Sequence, residues 1–124
     1  MVPRMTLLLV AFASAVGAPA RYLVDRLVAS RNRGSFPWGT LVINVSGAFI
    51  LGLLVGMGAH DGLSKQAVAI LGTGFCGSYT TFSTFSVETV RLVEERAFAK
   101  AASNVGVSLA AGLLAGAAGL GLAQ

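Results

Sequence analysis

Four apolar stretches, separated by short polar connections, occupy most of the chain. The first runs from about Met5 to Val28. Its uninterrupted part, Thr6 to Ala20, is short for a bilayer span, which takes about 20 residues. The helix is therefore expected to continue through Arg21, Tyr22, Leu23 and Val24, placing Arg21 in the membrane zone or a water-filled vestibule. Gly17 and Pro19 permit a local kink. After a polar connection containing Arg26, Arg31, Asn32, Arg33, Gly34 and Ser35, the second stretch covers about Pro37 to Met57. Pro37 suits a helix start and Trp38 the membrane interface. Gly47, Gly52 and Gly56 permit close helix packing, and Asn44 is the strongly polar member.

A turn over His60 to Lys65 leads to the third stretch, about Gln66 to Val93. Here the pattern changes. Gly72, Gly74 and Gly77 precede Gly77-Ser-Tyr-Thr-Thr-Phe-Ser-Thr-Phe-Ser-Val-Glu88, where Thr80, Thr81, Ser83, Thr84 and Ser86 supply five hydroxyls. A lipid-facing helix has no use for these, whereas a route for a polar species does. Glycines followed by Thr-Thr predict a broken helix, with irregular backbone shielded by protein or facing a cavity. The fourth stretch, about Ala101 to Leu122, carries Gly106, Gly112, Gly116 and Gly119 on faces expected to pack closely, with Ser108 as a polar point. The predicted fold is one all-α membrane domain over residues 1–124: four transmembrane helices, the third broken.

Composition supports this class. The chain has 124 residues, 55% hydrophobic and 11% charged, against about 25% charged in soluble domains. Its mean hydropathy is +0.77. The net charge of +4 comes from basic residues between apolar segments, not from a basic patch with interleaved aromatics, so nucleic acid is not expected as a partner. Cys76 is the single cysteine, which excludes an internal disulfide and a cysteine-based metal cluster. His60 is the single histidine, in a loop with Asp61 and Gly62. A zinc site or a Ser-His-Asp triad lacks material, and an enzyme is not expected. The N-terminal stretch is expected to remain as a membrane helix and not to be a cleaved signal, since Pro19 lies near the only cleavage-like site. Four spans leave little outside the membrane, and one small chain cannot enclose a wide pathway, so an oligomer is expected.

Polar groups at membrane depth are expensive, about 2.5 to 3.5 kcal/mol for a charge at the centre on insertion scales. Arg21, Asn44, Glu88 and the hydroxyl run are functional candidates on that ground. Phe82 and Phe85, three apart, share a helix face, with Thr81, Thr84 and Glu88 as an adjacent stripe. Aromatic edges are electropositive, so two ring edges and neighbouring hydroxyls can approach a small anion. The alternative is packing, with the hydroxyls bonded back to helix carbonyls. A half-helix ending near Gly77 leaves carbonyls free for a small cation, or the glycines serve only close packing. Asn44 either donates to an anion or bridges helices, and Arg21 either attracts anions or snorkels.

Three motifs carry a family resemblance: Gly17-Ala-Pro-Ala-Arg-Tyr22, Gly39-Thr-Leu-Val-Ile-Asn-Val-Ser-Gly47, and Gly74-Phe-Cys-Gly-Ser-Tyr-Thr-Thr-Phe-Ser-Thr-Phe-Ser-Val-Glu88. In order, spacing and four-span layout the chain resembles the small bacterial fluoride channels of the Fluc (CrcB) type. The resemblance implies a dimer of oppositely inserted subunits, with two fluoride pathways along their interface. It implies that Phe82 and Phe85 present ring edges to fluoride, that Asn44 donates a hydrogen bond, and that Thr40, Ser83, Thr84 and Glu88 continue a polar track. Arg21 would sit near a vestibule, and Ser108 matches the track more loosely. The carbonyls of Gly77 and Thr80 would hold a central structural sodium ion, which is not transported; no organic cofactor is implied. Function would be passive export of fluoride across the bacterial plasma membrane. Ser78, Tyr79 and Pro19 depart from the family pattern, and Tyr79 adds bulk beside the sodium-binding bend.

Charge adds a topological expectation. Arg4 and Lys65 fall on one side of the membrane; Arg26, Arg31, Arg33, Arg91, Arg96 and Lys100 fall on the other, two against six. The positive-inside rule then places both termini outside. The partner of opposite orientation would be either the same chain or an oppositely biased paralogue. Competing classes are a small dual-topology multidrug or cation transporter, which needs a carboxylate deep in an early span where this chain has only Asp25 near the end, and a membrane scaffold.

Overall fold

A computed structural model describes residues 3–60 and 62–124. Asp61, part of the turn expected after the second stretch, lies outside the described residues. Helix α1 (Arg4–Ala29) is one residue longer at each end than the span read from the sequence, and it continues through Pro19. Helix α2 (Trp38–Ala59) starts directly after Pro37, whose ring locks φ at the helix entrance. Helix α3 (Lys65–Val68) is capped by Ser64, whose Oγ accepts the Ala67 N–H at 3.1 Å. A π-helical stretch (Ala69–Cys76) follows, then α4 (Gly77–Tyr79), a break, and α5 (Ser83–Glu94). Helix α6 (Phe98–Leu122) completes the fold. Among the described residues all regular structure is helical. Among the described residues three helices, α1, α2 and α6, are long and apolar enough to cross a membrane.

The rods pack in two pairs. α1 lies along the π-helical stretch and α4, while α2 lies along α6. Both contacts depend on missing side chains. A Cβ on Gly17 would overlap Ser78 Oγ and the Phe75 carbonyl, and one on Gly74 would come within 2.8 Å of Ala13 and of the Val10 carbonyl. Ser14 Oγ donates to the Gly74 carbonyl at 3.1 Å across the same contact. In the second pair, Gly52 meets the Gly116 carbonyl and Gly119 meets the Phe49 carbonyl. Gly106 and Gly112, expected to lie on packed faces, instead have nothing within 4 Å of a built Cβ.

Little of the chain is inside. Ile43 and Asn104 are the largest fully buried side chains, each at 1% exposure. Met5, Leu8, Phe12, Leu113 and Leu122 are all exposed, a surface that water does not tolerate and lipid does. At one end Gln66 Nε2 donates to Thr6 Oγ1 at 2.8 Å; at the other Lys100 Nζ donates to Ser35 Oγ at 2.7 Å. These bonds fix which connections share an end of the bundle, and they gather the six basic residues at the Ser35–Lys100 end.

Candidate functional site

The helical path stops after Tyr79 and resumes at Ser83. Thr80 is extended, with ψ of 161°. The break therefore lies three residues beyond Gly77, which remains helical at φ −62° and ψ −35°. The glycines were expected to break the helix. They serve close packing and the wide π turn, and polar side chains make the break.

Asn44 on α2 is the principal agent. Its Oδ1 accepts the Thr81 N–H at 2.8 Å, and its Nδ2 donates to the Thr81 carbonyl at 2.9 Å. One side-chain amide thus satisfies both backbone groups of a residue that has left the helix. This answers the requirement that buried backbone polar groups find partners. The arrangement also fixes which way the amide points, since donor and acceptor cannot be exchanged. A second Nδ2 hydrogen remains beyond the one given to Thr81.

Thr81 then starts α5. Its Oγ1 accepts the Thr84 N–H at 3.2 Å, in the manner of an N-cap, and contacts Thr84 Oγ1 at 3.2 Å and Ser83 Oγ at 3.4 Å. Two carbonyls lose their helical donors as a result. Gly77 would receive the Thr81 N–H, which goes to Asn44; Thr80 would receive the Thr84 N–H, which goes to Thr81. Thr80 itself stays tethered, its N–H and Oγ1 both donating to the Cys76 carbonyl at 3.0 and 2.9 Å. Its methyl group packs on Gly47, where a Cβ would overlap it. A cavity of about 390 Å³ opens here, lined by Asn44, Gly47, Gly72, Gly77, Thr80 and Phe82 among others.

Phe82 and Phe85 come together, with ring centroids 5.8 Å apart and planes tilted by 40°. Phe82 is 78% exposed, so most of its ring projects from the chain's own packing. Thr40 and Glu88 also meet: Thr40 Oγ1 donates to Glu88 Oε1 at 2.5 Å. They lie toward a mouth of about 370 Å³ at the Ser35–Lys100 end, which Asp25, Asn32, Glu88, Arg91 and Glu95 help to line. Ser83 is exposed beside Thr81. Arg21 is partly buried on α1 and lines neither this mouth nor the cavity at the break. Ser108 faces Asn104, its Oγ 3.5 Å from Asn104 Oδ1.

Several partners were not foreseen. Asn104, fully buried on α6, donates from Nδ2 to Thr89 Oγ1 at 2.8 Å, and Thr89 donates to the Phe85 carbonyl at 2.8 Å. The sequence shows an amide in an apolar helix but not the neighbour it bonds, which lies on another helix. Tyr79, which looked too bulky for the bend, stacks on Phe75 with centroids 5.5 Å apart and meets Ser46 Oγ at 2.9 Å through its hydroxyl. The bulk is accommodated because Gly17 and Gly47 clear space on either side of this turn.

Residues 8–120 match the family described as CrcB-like protein, Camphor Resistance (CrcB). The chain belongs to the CrcB family. Among its relatives, a fluoride-specific ion channel FluC 1 of Streptomyces avermitilis is 50% identical over 120 residues, covering 97% of each chain. A protein of the same name from Frankia casuarinae is 45% identical over 125 residues, again covering 97% of each. A fluoride-specific ion channel FluC 2 of Rhodococcus jostii is 50% identical over 111 residues, covering 90% of this chain and 92% of the other. CrcB membership thus extends over all four helical rods, the break and the mouth.

Proposed function

We propose that this chain is a subunit of a fluoride-selective channel that releases fluoride passively from the cytoplasm and so protects the cell from its toxicity. The observation that carries the reading is the near full-length similarity to relatives named fluoride-specific ion channels. The break supplies a physical rationale. Burying a small anion without partners costs on the order of tens of kcal/mol in an ideal low-dielectric medium. Replacement of its water requires donors already in place. The second Asn44 N–H, the Thr84 and Ser83 hydroxyls and the electropositive edges of Phe82 and Phe85 are such donors. A narrow row of short contacts favours fluoride over the larger chloride. Thr40 and Glu88 continue the track toward the mouth, Ser108 lies beside it, and Arg21 acts from a vestibule outside the two cavities described. Hydrogen fluoride enters cells as the neutral acid and dissociates at neutral pH, and the membrane potential then drives the trapped anion out. No nucleotide or redox chemistry enters.

The unit of function is a dimer of oppositely inserted subunits in the plasma membrane. The exposed Phe82 supports this, because one chain offers only one wall of the route past the rings. The carbonyls of Gly77 and Thr80 fit a structural sodium ion: each has lost its helical N–H donor, and hard cations take oxygen ligands. Such an ion would supply charge compensation at the dimer centre. The uneven basic residues favour a subunit with both termini outside, paired with an oppositely biased paralogue or with its own copy.

Anion efflux from liposomes containing the purified chain tests the reading. Rapid fluoride release without chloride release is expected. Folded, dimeric protein that releases neither anion would sink it.

A further inference from the structure

Helix α5 carries the second ring of the pair, yet its own chain holds it lightly. It packs on α6 and is bonded to α2 through Thr40 and Glu88, while Phe82, Val87, Val90 and Val93 are exposed. Two features hold it to α6: apolar packing, in which Leu92 of α5 and Ala101 of α6 are both buried, and a chain of hydrogen bonds ending at the backbone of Phe85. Asn104 Nδ2 donates to Thr89 Oγ1 at 2.8 Å, and Thr89 Oγ1 donates to the Phe85 carbonyl at 2.8 Å. Ser108 approaches the Asn104 oxygen from the other side at 3.5 Å.

The two features do different work. An apolar contact is non-directional and survives rotation of one helix about its axis. The hydrogen-bonded chain does not, because its members must stay within bonding distance and angle. Asn104 is at 1% exposure, so an unpaired amide there would lose its partners with no water to replace them. Thr89 lies one turn after Phe85, on the same helical face. Glu88, the residue before Thr89, is then set about 100° around the axis, toward Thr40. Holding Thr89 therefore sets the angular position of both Phe85 and Glu88.

We propose that Asn104 and Thr89 form a clasp that fixes the rotation of α5, making them positioning residues for fluoride passage; neither is a ligand of the ion. The inference rests on the channel reading, and Asn104 itself lies behind the wall of the pathway.

Liposome efflux separates positioning from folding, because the fraction of trapped fluoride released counts vesicles with working protein, while the release rate reports each channel. Thr89→Val keeps the shape and removes the hydroxyl. It should slow release by about tenfold with the released fraction unchanged, and Thr89→Ser should restore the rate. The double variant Asn104→Leu with Thr89→Val removes both polar partners, so no orphan amide remains to unfold the protein. It should stay dimeric and slow. A wild-type rate in the double variant, or a loss confined to the released fraction, overturns the proposal. Amide hydrogen exchange over residues 86–92 keeps it distinguishable from the channel reading. Faster exchange in Thr89→Val supports the clasp even if the parent chain proves silent to fluoride, and unchanged exchange counts against it.

Discussion

At Thr81 a side chain takes over work that backbone does in a regular helix. Asn44 bonds both the N–H and the carbonyl of that residue, so the cost of leaving the helix is offset locally. Asn44 was recognisable in the sequence as a costly amide in an apolar stretch. Its partner was not, because the residues are 37 apart and only packing of α2 on the third rod brings them together. Phe82 and Phe85 were legible from their spacing, and the ring distance of 5.8 Å agrees with a shared face. Asn104 was not legible, because a single amide in a long apolar helix does not announce which neighbour it faces. Replacing Phe85 by Ile keeps bulk but removes the electropositive ring edge. Fluoride efflux should fall by about tenfold, equivalent to ~1.4 kcal/mol at the barrier, with the dimer intact on size-exclusion chromatography. Loss of the dimer instead would assign the ring to packing.

Among the elements, α2 and α6 followed from hydropathy, each being a long apolar run, and α1 from a shorter run together with the length that a span requires. The third rod did not. The π-helical stretch Ala69–Cys76 has no sequence periodicity of its own to announce it; it arises where α1 presses on Gly74 and Ser14 takes the Gly74 carbonyl. π turns are rare and concentrate at functional sites, here one short helical turn, α4, before the break. The end of α5 is a second local feature. Ala97 N–H donates to the Leu92 carbonyl and Arg96 N–H to the Val93 carbonyl, a Schellman closure with Arg96 at φ 60°. A non-glycine residue in that region costs about 1 to 2 kcal/mol. Arg96→Gly should therefore raise the thermal unfolding midpoint in detergent, by roughly 1 kcal/mol of added stability offset in part by glycine's greater unfolded freedom. An unchanged or lower midpoint would mean that the arginine side chain contributes more than its backbone strain removes.

For the whole molecule, the dominant fact is how much apolar and functional surface one chain leaves uncovered. The exposed ring and the uncovered hydroxyl run are the surfaces that, in the proposed channel, lipid and a second subunit would cover. If the subunit favours one orientation, cysteines introduced at the termini should be labelled mainly from outside, in keeping with the six basic residues at the opposite end. Equal labelling from both faces, in a dimer containing only this chain, would refute the bias. If sodium sits between Gly77 and Thr80 carbonyls, replacing it with a large organic cation throughout purification should reduce fluoride flux, and re-adding sodium should restore it; flux indifferent to the replacement would argue against a sodium site. The Asn44–Thr81 pair also has a consequence for biosynthesis. Asn44 leaves the ribosome 37 residues before its partner, so its amide enters the bilayer with nothing to bond. The third rod arrives to find that amide waiting, and the break in its backbone is where the earlier helix receives its missing hydrogen bonds.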